Sequence, residues 1–280
     1  MALKDNSMSK ILVPTDFSPA AENAFEFACQ ISAVGNQEIE LLHIKGSSTE
    51  KLLKVKNKTS DQLEEYLSEL CSKAMDEHAV KSNYRVEEGN ILTAIPTIAS
   101  EPEITLVVMG THGTKGIRQK LFGADALKIA ERSPAPVLTV PDVSDAKSGI
   151  KRIVFPYGGH ESFEGKVNAV VMLATHFDAD VHFYSIQRAA AEISQSIQKH
   201  IQKAEELLTK EGIAHERIKE EMTEYSVGFA NQTLKYAEKA GADIIAVMAS
   251  DAGNLSFISA VDRENLINND KGISILLVSE

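Results

Sequence analysis

Short apolar runs alternate along the chain with longer stretches of helical period. "ILVP" (residues 11–14) is continuously apolar, as expected of a parallel strand covered on both faces. Ser18 then stands as an N-cap with Pro19 at the first helical position. Phe25, Ala28, Cys29 and Ser32 mark an inward stripe, and Gly35 is placed to end the helix. Residues 39–44 read as a second strand, and Leu63, Leu67, Leu70 and Ala74 mark a long second helix. Residues 84–88 form a weaker strand pattern. Asn90 is placed to cap a third helix, which Pro96 must kink or whose real start it must set. Residues 104–109, 124–132 and 137–140 follow as strand, helix and strand. This alternation, with short connections, predicts an α/β fold with a doubly wound parallel sheet.

The pattern occurs twice. "KILVPTDFS" (10–18) matches "RIVFPYGGH" (152–160), and "EIELLHIK" (38–45) matches "DVHFYSIQ" (180–187) at the same offset. "ITLVVMG" (104–110) matches "DIIAVMA" (243–249), and "PVLTV" (136–140) matches "SILLV" (274–278), with only a small drift. Four elements in one order at nearly one spacing predict two tandem domains, residues 1–144 and 145–280. The polar stretch "PDVSDAKSGI" (141–150) joins them. Each copy ends on an apolar strand that would sit at a sheet edge, and such an edge is a pairing template. Tethering makes the pairing intramolecular. Residues 137–140 and 275–278 are therefore expected to lie antiparallel in a pseudo-dimer.

Composition narrows the function classes. With 43% hydrophobic and 25% charged residues the chain reads as an ordinary globular protein. A net charge of −11 argues against a general nucleic-acid partner, and no apolar run is long enough for a membrane span. The N-terminal "MALKDNSMSK" lacks the apolar core of a signal peptide, so a cytoplasmic location is expected. Cys29 and Cys71 have neither metal-ligand nor disulfide-framework spacing and read as buried small hydrophobes.

The chemistry concentrates after the fourth strand, in "VVMGTHGTKGIRQKLFGADALKIA" (107–130). Gly110, Gly113, Gly116 and Gly123 punctuate the exit from an apolar strand, three of them in the spacing Gly-x2-Gly-x9-Gly. Glycines let a backbone approach a ligand without a Cβ in the way, and successive N–H groups can cradle an anion. Gly123 opens a helix whose positive end attracts phosphate, with Lys115, Arg118 and Lys120 nearby. In a doubly wound sheet this loop and "PTDFS" (14–18) fall where ligands bind. A loop with a plain glycine helix start, and an Asp16 that only caps the following helix, remain alternative readings.

At these residues the chain resembles the universal stress protein family. "ILVPTDFSPAAENAFEFA", "LLHI" and "VVMGTHG…LFGADALKIAERSPAPVLTVP" carry the resemblance over residues 10–141, with a fainter echo in the second half. The resemblance implies a Rossmann-like fold of the adenine nucleotide alpha hydrolase type. It also implies ATP or another adenine nucleotide as ligand, with Mg²⁺ a candidate companion of the phosphates. On that pattern the adenine lies near Pro14, Thr15, Asp16 and Ile44. Met109, Gly110, His112, Gly113, Gly123, Ala124 and Asp125 lie along the ribose and phosphates. The family subgroup that binds ATP has Ser or Thr after the last glycine, where this chain has Ala124, followed by the acidic Asp125. One lost hydrogen bond costs about tenfold in affinity at most and leaves the backbone donors.

The second copy departs further. Ala249 and Ala252 replace the first two glycines, Val261 or Asp262 the third, and "PYG" stands where "PTD" stood. Tyr225, Met222 and Phe229 read as core. The sequence therefore predicts a stress-response or signalling protein that binds a nucleotide in its first half only. An unidentified protein partner reads the signal, and a homodimer is a further option. A nucleotide-independent scaffold and a slow ATP hydrolase are the alternatives. No nucleophile–base pair is legible around Asp16, His112 and Asp125, so weak ATP hydrolysis is the most that catalysis would amount to.

Overall fold

A computed structural model describes residues 9–111, 123–144, 149–158, 163–187, 194–221, 228–250 and 258–279. The first half of the chain runs β1 (Lys10–Pro14), α1 (Pro19–Gly35), β2 (Glu38–Lys45), α2 (Thr49–Val55), α3 (Leu63–His78) and β3 (Ser82–Glu88). It continues through α4 (Ile91–Ile98), β4 (Ile104–Thr111), α5 (Gly123–Arg132) and β5 (Val137–Pro141). The second half comprises β6 (Arg152–Pro156), α6 (Glu164–Phe177), β7 (Asp180–Gln187), α7 (Gln195–Lys210) and β8 (His215–Glu221), then α8 (Gly228–Ala240), β9 (Ile244–Met248), α9 (Ala260–Ile267) and β10 (Ser274–Val278).

The strands make one ten-stranded sheet in the order β3-β2-β1-β4-β5-β10-β9-β6-β7-β8. Neighbours are parallel except at the centre, where β5 and β10 pair antiparallel with Leu138 opposite Leu276. Thr139 Oγ1 adds a 3.2 Å bond to the Ile275 carbonyl. Leu138 and Leu276 are both fully buried, so each strand covers the other's edge.

The central strands are buried on both faces, which is why they read as unbroken apolar runs. One core packs α1, α3, α6 and α7 against one face of the sheet. The other packs α4, α5, α8 and α9 against the opposite face. No helix among the described residues is long and apolar enough to cross a membrane.

Local details depart from the sequence reading. Gly35 is the last residue of α1, but the left-handed cap is Asn36 (φ 49°). A Cβ on Gly35 would come within 2.6 Å of the His176 ring, so this glycine admits a neighbouring helix from the second half. Pro96 does not set the start of α4. The helix begins after Asn90, whose side chain accepts the Leu92 N–H, and Pro96 lies within it. Proline has no N–H for the Leu92 carbonyl four residues back, and Arg132 Nη1 reaches that carbonyl at 3.4 Å. Phe25 and Cys71 are half-buried where full burial was expected, whereas Cys29 is buried and its thiol is pushed up to about 12 by desolvation.

Candidate functional site

In the first half the chain order turns back between β1 and β4. β1 pairs with β2 on one side and β4 on the other, so the connections leaving β1 and β4 diverge and open a crevice at their carboxyl ends. The segments predicted to bind a ligand meet around this crevice. Pro14 ends β1, and Thr15 and Asp16 follow it; Ile44 lies near the end of β2. Met109 and Gly110 lie near the end of β4, and Gly123, Ala124 and Asp125 open α5. His112, Gly113, Lys115, Gly116, Arg118 and Lys120 lie outside the described residues.

The β1–α1 loop is fixed by its own polar atoms. Thr15 N donates to the Leu42 carbonyl at 2.8 Å, carrying the ladder one residue past Pro14. Thr15 Oγ1 accepts the Phe17 N–H, and Asp16 Oδ1 accepts the Ser18 N–H at 3.0 Å. Ser18 Oγ in turn accepts Ala21 N, capping α1. The structural alternative for Asp16 therefore holds in part, since one carboxylate oxygen is spent on the turn before the helix.

Two residues that the sequence reading passed over complete this loop. His43 is buried; its Nδ1 lies 2.9 Å from the Thr15 carbonyl and its Nε2 lies 3.2 Å from Thr49 Oγ1. It thereby ties the loop after β1 to the turn after β2. Burial holds its imidazole below the ordinary range, against the bond to Thr15 and the charge of Asp16, which act the other way. Phe17 takes a left-handed backbone (φ 62°), unusual for a bulky side chain, and its ring stacks on His43 at 4.7 Å. The signal was present in "LLHI". A histidine in a buried strand must find hydrogen-bond partners, and the nearest loops supply them.

The glycines divide by purpose. A Cβ on Gly110 would overlap the Ala20 carbonyl oxygen and lie 2.7 Å from Ala21 N. The space a side chain would fill at Gly110 is taken by the first turn of α1, so packing within the fold is itself a reason for glycine at this strand end. A Cβ on Gly123 would meet the Asn268 side chain, 2.8 Å from its Cγ. Asn268 caps the C-terminus of α9, and Thr111 Oγ1 reaches the adjoining Ile267 carbonyl at 3.4 Å. Both described ends of the glycine-rich segment thus rest on the end of α9. At the start of α5 the first-turn N–H groups point out of the helix, as at any helix N-terminus. Asp125 is half-buried there, 3.8 Å from Lys128.

In the second half the position of Gly123 is occupied by a closed cap. Ser259 and Asp262 exchange bonds in a capping box, with Asp262 N donating to Ser259 Oγ at 3.1 Å and Ser259 N donating to Asp262 Oδ2 at 3.2 Å. Val261 is exposed and Ala249 fully buried. Phe229 is buried as core, while Met222, Tyr225 and Ala252 lie outside the described residues.

Comparison with known proteins agrees with this architecture. Residues 8–141 match the model of the universal stress protein family. Universal stress protein MJ0577 of Methanocaldococcus jannaschii is 29% identical over 151 residues, covering 47% of this chain and 93% of that protein. Universal stress protein MJ0531 of the same organism is 28% identical over 142 residues, 49% of this chain and 84% of that protein. The crystal structure of a universal stress protein from Archaeoglobus fulgidus superimposes with a TM-score of 0.71 at 18% identity. It spans 96% of this chain and 98% of that one, and so shares the fold along nearly the whole length. Residues 8–141 thus form a domain of the universal stress protein family.

Proposed function

We propose that the first half binds an adenine nucleotide, ATP or AMP, in the crevice between β1 and β4, and that occupancy is read out as a stress signal. The observation that carries this reading is the convergence of the Thr15–Asp16 turn, the end of β4 and the N-terminus of α5 at one topological switch point. Mg²⁺ would accompany the phosphates. The two halves act as tandem domains, residues 1–144 and 145–280, joined as an intramolecular pseudo-dimer through β5 and β10. The second half binds no nucleotide, because the Ser259–Asp262 box already commits the Ser259 and Asp262 N–H groups at the start of α9. The cytoplasm is the compartment this reading expects.

A signalling role is favoured over a passive nucleotide store by the placement of α9. Its Ile267 carbonyl and Asn268 side chain touch Thr111 and Gly123, so a ligand that moves the glycine-rich segment pushes on the second half. Isothermal titration with ATP and with AMP should give about one nucleotide per chain. Ala124→Ser should tighten ATP binding by up to about tenfold, the worth of one regained hydrogen bond, without changing stability. Two equal sites per chain, or no heat with either nucleotide, would overturn the assignment.

A further inference from the structure

Between α1 and α3 of the first half lies a cavity of about 250 Å³, with Phe25, Leu41 and Leu70 on its apolar side. Two carboxylates and an imidazole stand along its wall: Glu26 on α1, and Glu77 and His78 at the end of α3. One ligand atom of each, a carboxylate oxygen or an imidazole nitrogen, lies within 4.8 Å of the other two. His78 Nε2 is 3.1 Å from Glu26 Oε1 and 3.2 Å from Glu26 Oε2. Glu26 and His78 are half-buried, while Glu77 is exposed and lies 3.6 Å from Lys73, one turn back. On a tetrahedral ion, ligand atoms about 2.0–2.1 Å from the metal sit about 3.3 Å apart, so Glu77 has to close by at most about 1.5 Å. An exposed side chain makes that move without disturbing the core.

A buried thiol lines the same cavity. Cys29 follows Glu26 by about one turn of α1 and is 1% exposed, and its thiol has no hydrogen-bond partner among the described residues. Burial first, and then the nearby charges that include Glu26 and Glu77, hold this thiol in its protonated form. A divalent cation among the carboxylates reverses that field, and a thiol that coordinates such an ion is deprotonated outright. The ion pair of Glu26 with His78 accounts for two of these four residues. It accounts neither for Glu77 beside them nor for a thiol left without a partner.

We propose that Glu26, Glu77 and His78 bind a divalent transition metal of the Zn²⁺ type, with Cys29 as the fourth donor, and that the ion fastens the end of α3 to α1. An imidazole nitrogen, carboxylate oxygens and a thiolate suit Zn²⁺ and its stand-in Co²⁺, whereas Mg²⁺ and Ca²⁺ take oxygen ligands. The ion replaces the proton shared between His78 Nε2 and Glu26, and the Lys73 ammonium, 61% exposed, turns to water. Both ligands of α3 precede the left-handed turn at Ala79 that leads into β3, so the bound ion fixes the end of that helix.

The test uses the full chain, stripped with a chelator and free of nucleotide, so that metal–phosphate complexes play no part. Calorimetry with Zn²⁺ should show one site per chain of micromolar affinity or tighter, unchanged by a large excess of Mg²⁺. Glu26→Gln and His78→Gln should each weaken it about 100-fold or more, beyond the 10–100-fold loss that a merely supporting partner causes. Glu50→Gln, on the exposed surface of α2, should leave it unchanged. Co²⁺ should give the visible bands of a four-coordinate ion and a thiolate charge-transfer band that Cys29→Ser removes. No Zn²⁺ heat, in chain shown by circular dichroism to be folded, would overturn the proposal. Binding of equal strength in folded Glu26→Gln and His78→Gln would place the ion elsewhere and overturn the assignment. Co²⁺ bound without a thiolate band would strike Cys29 from the ligand set.

Discussion

The two switch points of this sheet are built from matching strands but are closed in different ways. In the first half Gly110 lets the first turn of α1 lie directly on the end of β4. In the second half the matching residue is Ala249, and α6 packs on β9 much less closely than α1 packs on β4. The cavity beside β9 holds the Lys166 side chain, where the first half has backbone against backbone. One methyl group at the strand end thus goes with a different helix position and a different chemistry. The first crevice has the start of α5 beside it, and the second has side-chain cations in an apolar wall.

The largest expected effect that sharpens this contrast is at Lys166. Its folded value is depressed, so between pH 7 and 10.5 the unfolded chain holds a proton that the folded chain has shed. Stability then rises with pH across that window, and the full cost of burial is felt at pH 7 and below. A fall from 10.5 to about 7, at about 1.4 kcal/mol per unit, bounds the gain from Lys166→Met at about 5 kcal/mol. Urea unfolding should show the variant more stable at pH 7, with the gap closing toward pH 10.5. A variant less stable at pH 7 would mean that the ammonium is compensated in the folded chain.

The next effect is at the strand ends themselves. Gly110→Ala drives a Cβ into the Ala20 carbonyl and should cost about 1–3 kcal/mol in urea unfolding, as overpacking does. The reverse change, Ala249→Gly, should cost less, about 0.5–1 kcal/mol from backbone entropy. Equal costs would show that the two ends are packed alike.

The smallest effect is acidic. Burial is the leading cause holding His43, His176 and His182 below the ordinary imidazole range. Each is favoured neutral when folded, so stability is fully present above about pH 6.5 and is lost as the pH falls below it. Because His43 holds Thr15 to Thr49, amide exchange at the β1–α1 loop should rise in the same range. His43→Gln should remove that local response while leaving the second half's acid sensitivity intact.

The sequence by itself determined the alternation of strands and helices, and it marked the ends of β1 and β4 as a candidate site. Apolar runs with period two or 3.6, N-caps such as Ser18 and Asn90, and strand-end glycines are local signals, and local physics suffices to read them. It also marked 137–140 and 275–278 as edges in need of cover, because an apolar strand cannot be left exposed. Only the tertiary structure decided what each special residue touches. Gly110 serves α1, Gly35 serves His176, and Gly123 rests against Asn268 from the other half of the chain. His43 became a clamp because two loops closed on it, and Lys166 became a buried cation because α6 carried it over Phe155. A one-dimensional pattern states which face of a helix or strand is apolar. It does not carry the distances between elements remote in sequence, and at both switch points those distances set the chemistry.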